Sequence, residues 1–470
     1  MFNFFAANDP NYFDYVVRVT QDNNGGYNFD SIYQKSQKVA DDLNKQLGNF
    51  CFPYKDTPLP ASETQTYYFA FTDEKKQYSY CFVHSREENL VRSAFTLVSR
   101  YFHPSLFCEI VQSVANYYSK SKSDAESFLN NILHLQLIRR PYDWSFTIKA
   151  GLELQNFDHL SPENEIMKLL TFLYSRFAVN DILASIVATM LDARIIVLSS
   201  NIDLLGQTVF SILALLYPLR WQGTFIPLLP SVALTALEAP FGYLIGVHSI
   251  MASKLLEESV EKYFVMNVDC HYSVVIGMDD FPAEILDLID IYSNKIREQI
   301  AKYKPIFPMR YIQVLVREFM IQVFSTAYGY TISSPNDLAA GFARYKENIS
   351  EEFPAVISQT QFVDVFVHQC LQDDLEERGN LEEQRSQSLE TIKAFWPDQE
   401  VTVAKQERRR RSNAKKFRSI DNSPAIKTFK TSKAKLVDIH PKSSEAPHEL
   451  RPRLLLSAEF NLFSAEMDKK

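Results

Sequence analysis

With 470 residues, a formal net charge of −8 and 46% hydrophobic residues, the chain holds apolar material for two or three folded domains and far too much for a wholly disordered protein. Its five cysteines, Cys51, Cys81, Cys108, Cys270 and Cys370, are widely spaced, odd in number and include no C-x-x-C pair, which argues against a disulfide framework or a zinc site and for free thiols in a reducing compartment. No run of about 18 uncharged apolar residues occurs, and the opening MFNFFAANDP has no basic n-region, so neither a membrane span nor a signal peptide is expected.

In chain order, Tyr12 to Thr20 alternates as a strand does, and Asn23-Asn24-Gly25-Gly26 is a turn. Asn49 to Pro53 is a compact aromatic segment closed by proline. Thr66 to Thr72 and Gln77 to Val83 flank Asp73-Glu74-Lys75-Lys76 and predict an aromatic hairpin, with Ala94 to Ser99 as a third strand. Pro104 opens a helix through about Tyr118, and Ser123 or Asp124 caps another to about Leu137. Residues 1–140 read as a small α/β lobe. Residues 141–162 are polar and poorly periodic, and read as a linker with room for one strand.

Residues 163–306 read as a second, α/β lobe. Asp181 to Asp192 predicts a buried helix leading into Arg194-Ile195-Ile196-Val197-Leu198, a β-branched run suited to a strand buried on both faces. Ser199, Ser200 and Asn201 are N-cap types before an apolar helix, Leu204 to Tyr217, which Pro218 stops. Apolar runs at Thr224–Leu229 and Gly242–Val247 complete a strand, helix, strand, short helix, strand rhythm, that of a parallel sheet. A short helix follows Ser249, then a strand near Tyr263–Val268 and a helix from Pro282 to Ile300. Residues 307–374 are helical throughout, with Tyr311–Tyr328, a Ser334-Pro335 helix start and Phe362–Leu371. Leu375 to Lys393 predicts a polar helix, and Asp398 to Lys470 reads as disordered.

The α/β pattern calls for a phosphate cradle, yet neither G-x-G-x-x-G nor G-x-x-x-x-G-K-[ST] occurs, and the turn after the Arg194 strand has no glycine. A nucleotide site in this chain is not expected. There is no G-x-S-x-G, and no histidine has metal-ligand spacing, so no catalytic residue, cofactor or metal is predicted. His248 follows a strand end, where it reads as hydrogen-bonded locally or as a functional residue. Trp221 reads as a packing anchor or as part of a partner-contacting loop with Gln222. Between Val401 and Val437 stand 12 Lys/Arg against 2 Asp/Glu, so a basic tail follows an acidic body. Arg408, Arg409, Arg410, Arg411, Lys415 and Lys416 suit an anionic membrane surface, an import or nucleic-acid signal, or solubility; with no nucleic-acid fold around them, the first is preferred. Leu454 to Phe463 is an apolar island, a docking peptide or a segment that packs on the body.

Tyr217 to Pro230 (YPLRWQGTFIPLLP) and Leu237 to Ser249 (LEAPFGYLIGVHS) resemble the central signature of the DENN domain. Upstream, Phe50-Cys51-Phe52-Pro53 and Phe69-Ala70-Phe71-Thr72-Asp73 resemble its F-C-F-P and F-x-L-T-D elements; downstream, Val316 to Tyr328 resembles its last segment. The order and close spacing are similar to the connecdenn subgroup. Three positions depart from the family pattern: Asp192-Ala193-Arg194 stands for Glu-Arg-Arg, Gly223 for the histidine after W-Q, and Gly242 for a second proline.

The resemblance implies a longin-like N-terminal lobe (residues 1–140), a doubly wound α/β lobe (163–306) and a helical downstream segment (307–374). It implies guanine-nucleotide exchange on a Rab-family GTPase lying across both lobes, with the nucleotide on the partner and no cofactor here. Spacing assigns no contact. The candidates are loop-borne residues near the strand ends, Arg220, Trp221, Gln222, Glu238 and His248, with Asp14 and Asp73 in the first lobe. The departures motivate an alternative, a non-catalytic scaffold or adaptor that binds a GTPase without speeding exchange. The expected location is cytoplasmic and peripheral to vesicle or endosomal membranes, the tail meeting anionic lipid or trafficking adaptors.

Overall fold

The computed structural model describes residues 12–22, 25–54, 64–72, 78–88, 91–133, 143–150, 153–252, 263–276, 281–371 and 393–396. Two five-stranded sheets carry the architecture, each with its own helices.

The first sheet is antiparallel, in the order β2-β1-β5-β4-β3: β1 (Tyr15–Gln21), β2 (Tyr27–Gln34), β3 (Gln65–Thr72), β4 (Tyr78–Glu88) and β5 (Val91–Ser99). The predicted hairpin is β3–β4, and the predicted third strand is β5. The predicted turn Asp73–Lys76 lies outside the described residues. The aromatic segment at Asn49–Pro53 is the end of a helix, α1 (Gln37–Cys51), capped by Ser36, whose Oγ accepts from Val39 N. Sequence reading missed this helix because only Ala40, Leu47, Gly48 and Cys51 face the core, too thin a stripe to mark a helical period. α2 (Pro104–Lys120) follows as predicted, while α3 (Lys122–Leu133) starts before the expected cap at Ser123 or Asp124, because Ser121 Oγ accepts from Asp124 N at 3.0 Å; its expected end near Leu137 lies outside the described residues.

The stretch read as a linker forms a second hairpin, β6 (Trp144–Ala150) with β7 (Glu153–His159). Its exposed face pairs Ser145 with Asp158 and Thr147 with Asn156, while Phe146 stacks on Phe157 at 5.4 Å on the other face. Such cross-strand pairs define a strand pair even where overall polarity suggests a loop.

The second sheet runs β12-β11-β8-β10-β9, with β8 (Arg194–Ser199), β9 (Thr224–Ile226), β10 (Tyr243–His248) and β11 (Tyr263–Asn267) parallel, and β12 (Tyr272–Ile276) antiparallel at the edge. Five of the six β8 residues are buried, as the β-branched run implied. β9 is shorter than predicted because Pro227 lacks the N–H needed to continue the ladder. α4 (Pro162–Arg176) and α5 (Val179–Met190) precede β8, and α6 (Ile202–Leu215) follows it, with Asn201 Oδ1 accepting from Asp203 N at 2.9 Å. The lobe closes with α7 (Ala283–Tyr303), α8 (Met309–Tyr328), α9 (Pro335–Tyr345, capped by Ser334), α10 (Phe353–Gln359) and α11 (Gln361–Leu371).

α6 joins the two sheets. Phe210 sits 5.2 Å from Tyr68, 4.9 Å from Phe102 and 5.3 Å from Phe225, linking first-sheet aromatics to β9. Beside it, a Cβ on Gly206 would lie 2.5 Å from the backbone oxygen of Tyr68, so only glycine permits this approach. The F-C-F-P element also crosses over: Ser231 N donates to Pro53 O at 2.8 Å, and the Tyr54 ring lies 4.7 Å from that of His248. No single helix among the described residues is long and apolar enough to cross a membrane. The polar helix expected at Leu375–Lys393 lies outside them except at Lys393, as does the disorder expected at Asp398–Lys470.

Candidate functional site

The parallel register fixes where each candidate stands. Tyr243 pairs with both Arg194 and Thr224, so the segments before β8, β9 and β10 lie side by side at the amino edge of the sheet. Arg220, Trp221 and Gln222 precede β9, and Glu238 ends the 3-10 turn (Ser231–Glu238) before β10. His248 ends β10 and stands at the opposite, carboxyl edge, about 20 Å away over six extended residues. The structure therefore places four of these five in the segments that lead to the amino edge and the fifth at the other edge.

At the amino edge the Trp221 indole is buried; its Nε1 donates to Thr224 O at 3.1 Å and its ring lies 6.1 Å from Phe362 on α11. Gln222 is half-buried and its Nε2 donates to Arg220 O. Arg220 is half-buried and Glu238 exposed. Two exposed aromatics that sequence reading did not single out join them, Tyr217 at the end of α6 (48% exposed) and Phe241 before β10 (57% exposed). Both adjoin prolines, and that was the only sequence signal marking them as chain-turning residues. Asp192, in the left-handed region at φ 49, accepts from Gln361 N at 2.6 Å and ties this edge to the start of α11. The edge thus offers aromatic and charged groups around a packed indole, the composition of a protein-contact surface.

The carboxyl edge is internally satisfied. Asp269, just after β11, accepts from Ser199 Oγ and Ser200 N, each at 2.6 Å, and from Ser249 Oγ at 3.3 Å. Its carboxylate occupies the crevice past the strand ends, where open α/β sheets hold the phosphates of their ligands. His248 Nε2 pairs with Ser200 O at 2.8 Å, and Nδ1 accepts from Ile250 N, so the ring is a neutral donor toward the carbonyl with no base lone pair to spare. Burial lowers its pKa, in keeping with that tautomer. Sequence reading missed Asp269 because nothing local marks a carboxylate whose partners come from two other loops.

In the first lobe Asp14 is buried between Arg100 Nε at 3.3 Å and Lys35 Nζ at 3.5 Å, an arrangement within the sheet and its margin. Asp73 and the basic residues Arg408 to Arg411, Lys415 and Lys416 lie outside the described residues. Among the described residues no group of three His, Cys, Asp or Glu is placed to hold a metal ion.

Residues 90–271 match the family profile described as the DENN (AEX-3) domain. The chain is 26% identical over 301 residues to human DENN domain-containing protein 1A, covering 61% of this chain and 28% of that protein. It is 27% identical over 284 residues to mouse DENN domain-containing protein 1C, covering 54% and 35%. It is 23% identical over 292 residues to mouse DENN domain-containing protein 1B, covering 61% and 37%. The chain therefore spans well under two thirds of the length of these curated relatives. The profile covers β5 through the β11–β12 turn, including both edges of the second sheet and the α6 joint, and over that stretch the chain is similar to the DENN domain.

Proposed function

We propose that this chain is a guanine-nucleotide exchange factor for a Rab-family small GTPase in membrane trafficking. Exchange here is a matter of differential affinity: a surface that binds the nucleotide-free GTPase better than the loaded one shifts the equilibrium toward release, with no bond made or broken by the factor. The observation carrying this reading is the amino edge, where Tyr217, Arg220, Gln222, Glu238 and Phe241, exposed or half-buried, stand in the segments that lead to β9 and β10 with the buried Trp221. The satisfied carboxyl edge is consistent with it, since the donors that would hold a phosphate are engaged by Asp269. Arg220, Gln222 and Glu238 are the proposed contacts; Trp221, His248 and Asp14 act by packing, as their internal partners imply.

Release of a fluorescent GDP analogue from a panel of Rab proteins, at micromolar concentrations of the chain, tests the proposal. Acceleration with at least one Rab is expected; none with any Rab would remove the exchange activity. The tail is proposed to bring the module to anionic membranes or trafficking adaptors, at a cytoplasmic membrane surface.

One observation favours a second reading, a GTPase-binding scaffold that does not speed exchange. Gly223 and Gly242, both departures from the family pattern, meet at the amino edge, where a Cβ on Gly223 would run into Gly242 O and the Trp221 ring. The proposed contact surface is thus reshaped at two adjoining points. Equal affinity for the GDP-loaded and nucleotide-free GTPase is the outcome that selects the scaffold.

A further inference from the structure

Residues 393–396, Lys-Ala-Phe-Trp, pack on the helical segment although residues 372–392 separate them from the end of α11. Phe395 and Trp396 are buried, at 5% and 7% exposure. The Phe395 ring lies 5.0 Å from Phe366 on α11 (Gln361–Leu371) and 5.6 Å from Trp396. Phe366 in turn stacks on Phe324 of α8 (Met309–Tyr328) at 6.0 Å. One polar contact fixes the backbone: Arg317 Nη1, also on α8, donates to Ala394 O at 3.2 Å, while its Nε is held by Gln313 O. The segment is therefore held to α11 through the Phe366 ring and to α8 through the Arg317 guanidinium.

We infer that Lys393–Trp396 is a reversible latch, a short aromatic peptide that docks in cis on a seat formed by Arg317 and by Phe366, which Phe324 backs, and that the seat accepts the same peptide in trans when the latch leaves. Three features distinguish it from a fixed piece of core. Among the described residues its hold consists of two buried rings and one hydrogen bond. Against these stands the conformational entropy lost on ordering the segment itself. In addition, Trp396 Nε1 is buried and meets no acceptor among the described residues, a cost that release into water removes. The seat also shares a helix with the amino edge: one turn before Phe366, Phe362 supports Trp221.

The test uses the full chain and a fluorescein-labelled peptide of residues 390–399. The variant Phe395→Ala/Trp396→Ala, shown folded by circular dichroism and an unchanged melting profile of the body, should bind the peptide in the micromolar range. The wild-type chain should bind about a hundredfold to a thousandfold more weakly, because the cis copy competes at an effective concentration near millimolar. Adding Arg317→Ala to the vacated variant should weaken binding about tenfold, and a peptide with both rings replaced by alanine should not bind. Absence of binding to the folded vacated variant, or equal binding to both forms, overturns the inference. If the double variant fails to fold, a protease site inserted within residues 372–392 of the wild-type chain replaces it. After cleavage the fragment from residue 393 onward should stay associated and be displaced by excess unlabelled peptide. A fragment that resists displacement, or that leaves and does not rebind, overturns the inference equally.

Discussion

Glu165 of α4 is buried where the first lobe's α2 begins. Ser105 donates to it twice, from its backbone N at 3.2 Å and its Oγ at 2.9 Å, and Lys168 Nζ reaches the same Oγ at 2.9 Å. Burial pushes this carboxyl up from the ordinary 4.5 to about 7, with the Ser105 bonds and Lys168 opposing. Between those two values the folded chain keeps a proton that the unfolded chain releases, so this carboxyl's contribution to stability is greatest below about pH 4.5 and is lost as pH rises through about 7. Glu165→Gln keeps the shape and removes the titration. The variant should match wild type near pH 5 and exceed it above pH 7, by at most about 3 kcal/mol. Denaturant midpoints at pH 5, 6, 7 and 8 measure this; parallel curves for the two proteins would refute it. His84, whose pKa burial lowers to about 4, contributes the opposite slope, losing stability as pH falls from 6.5, and it cancels in the comparison because both proteins carry it.

α6 is the element on which the two lobes depend. Its sequence is apolar nearly all round, and the reason lies in its position: one side meets β8 and β10, the other meets first-lobe aromatics through Phe210. Gly206→Ala poses helix propensity against packing. An alanine favours the helix by about 1 kcal/mol over glycine, whereas a Cβ 2.5 Å from the Tyr68 carbonyl forces the lobes apart. Packing should win, with a net loss of about 1–3 kcal/mol and a lowered unfolding midpoint; a variant more stable than wild type would show that the interface yields freely. The β6–β7 hairpin gives a second element-scale lesson. Ser145, Thr147, Asn156 and Asp158 are polar because they bond to one another across the strands, so a polar stretch was read as a linker when its alternation held a strand pair.

For the whole molecule, the proposed exchange activity depends on the amino edge being presented intact. Phe241→Ala and Arg220→Ala should leave the melting midpoint near that of wild type and lower kcat/KM of exchange by about tenfold each, the size expected of an interface anchor. A loss of stability with no change in exchange would place both residues in packing instead. The basic tail predicts salt-sensitive binding to anionic liposomes, because exposed charges are screened within about 10 Å at 0.1 M salt. Sedimentation with liposomes at low and high salt measures it, and equal binding by a chain ending at Asp398 would remove that role from the tail.

The sequence by itself determined the elements whose signal is local. β8 was legible because a strand buried on both faces must be continuously apolar, α9 because Ser334-Pro335 is a start that backbone hydrogen bonding favours, and the DENN resemblance because its motifs keep their order along the chain. Tertiary structure decided everything set by distance. It sent His248 to one edge of the sheet and Trp221 to the other, filled the carboxyl crevice with Asp269, and placed Phe395 against Phe366 across an intervening stretch of chain. Those outcomes depend on strand direction and on loops that meet only after both lobes have packed, and no local run of residues encodes either.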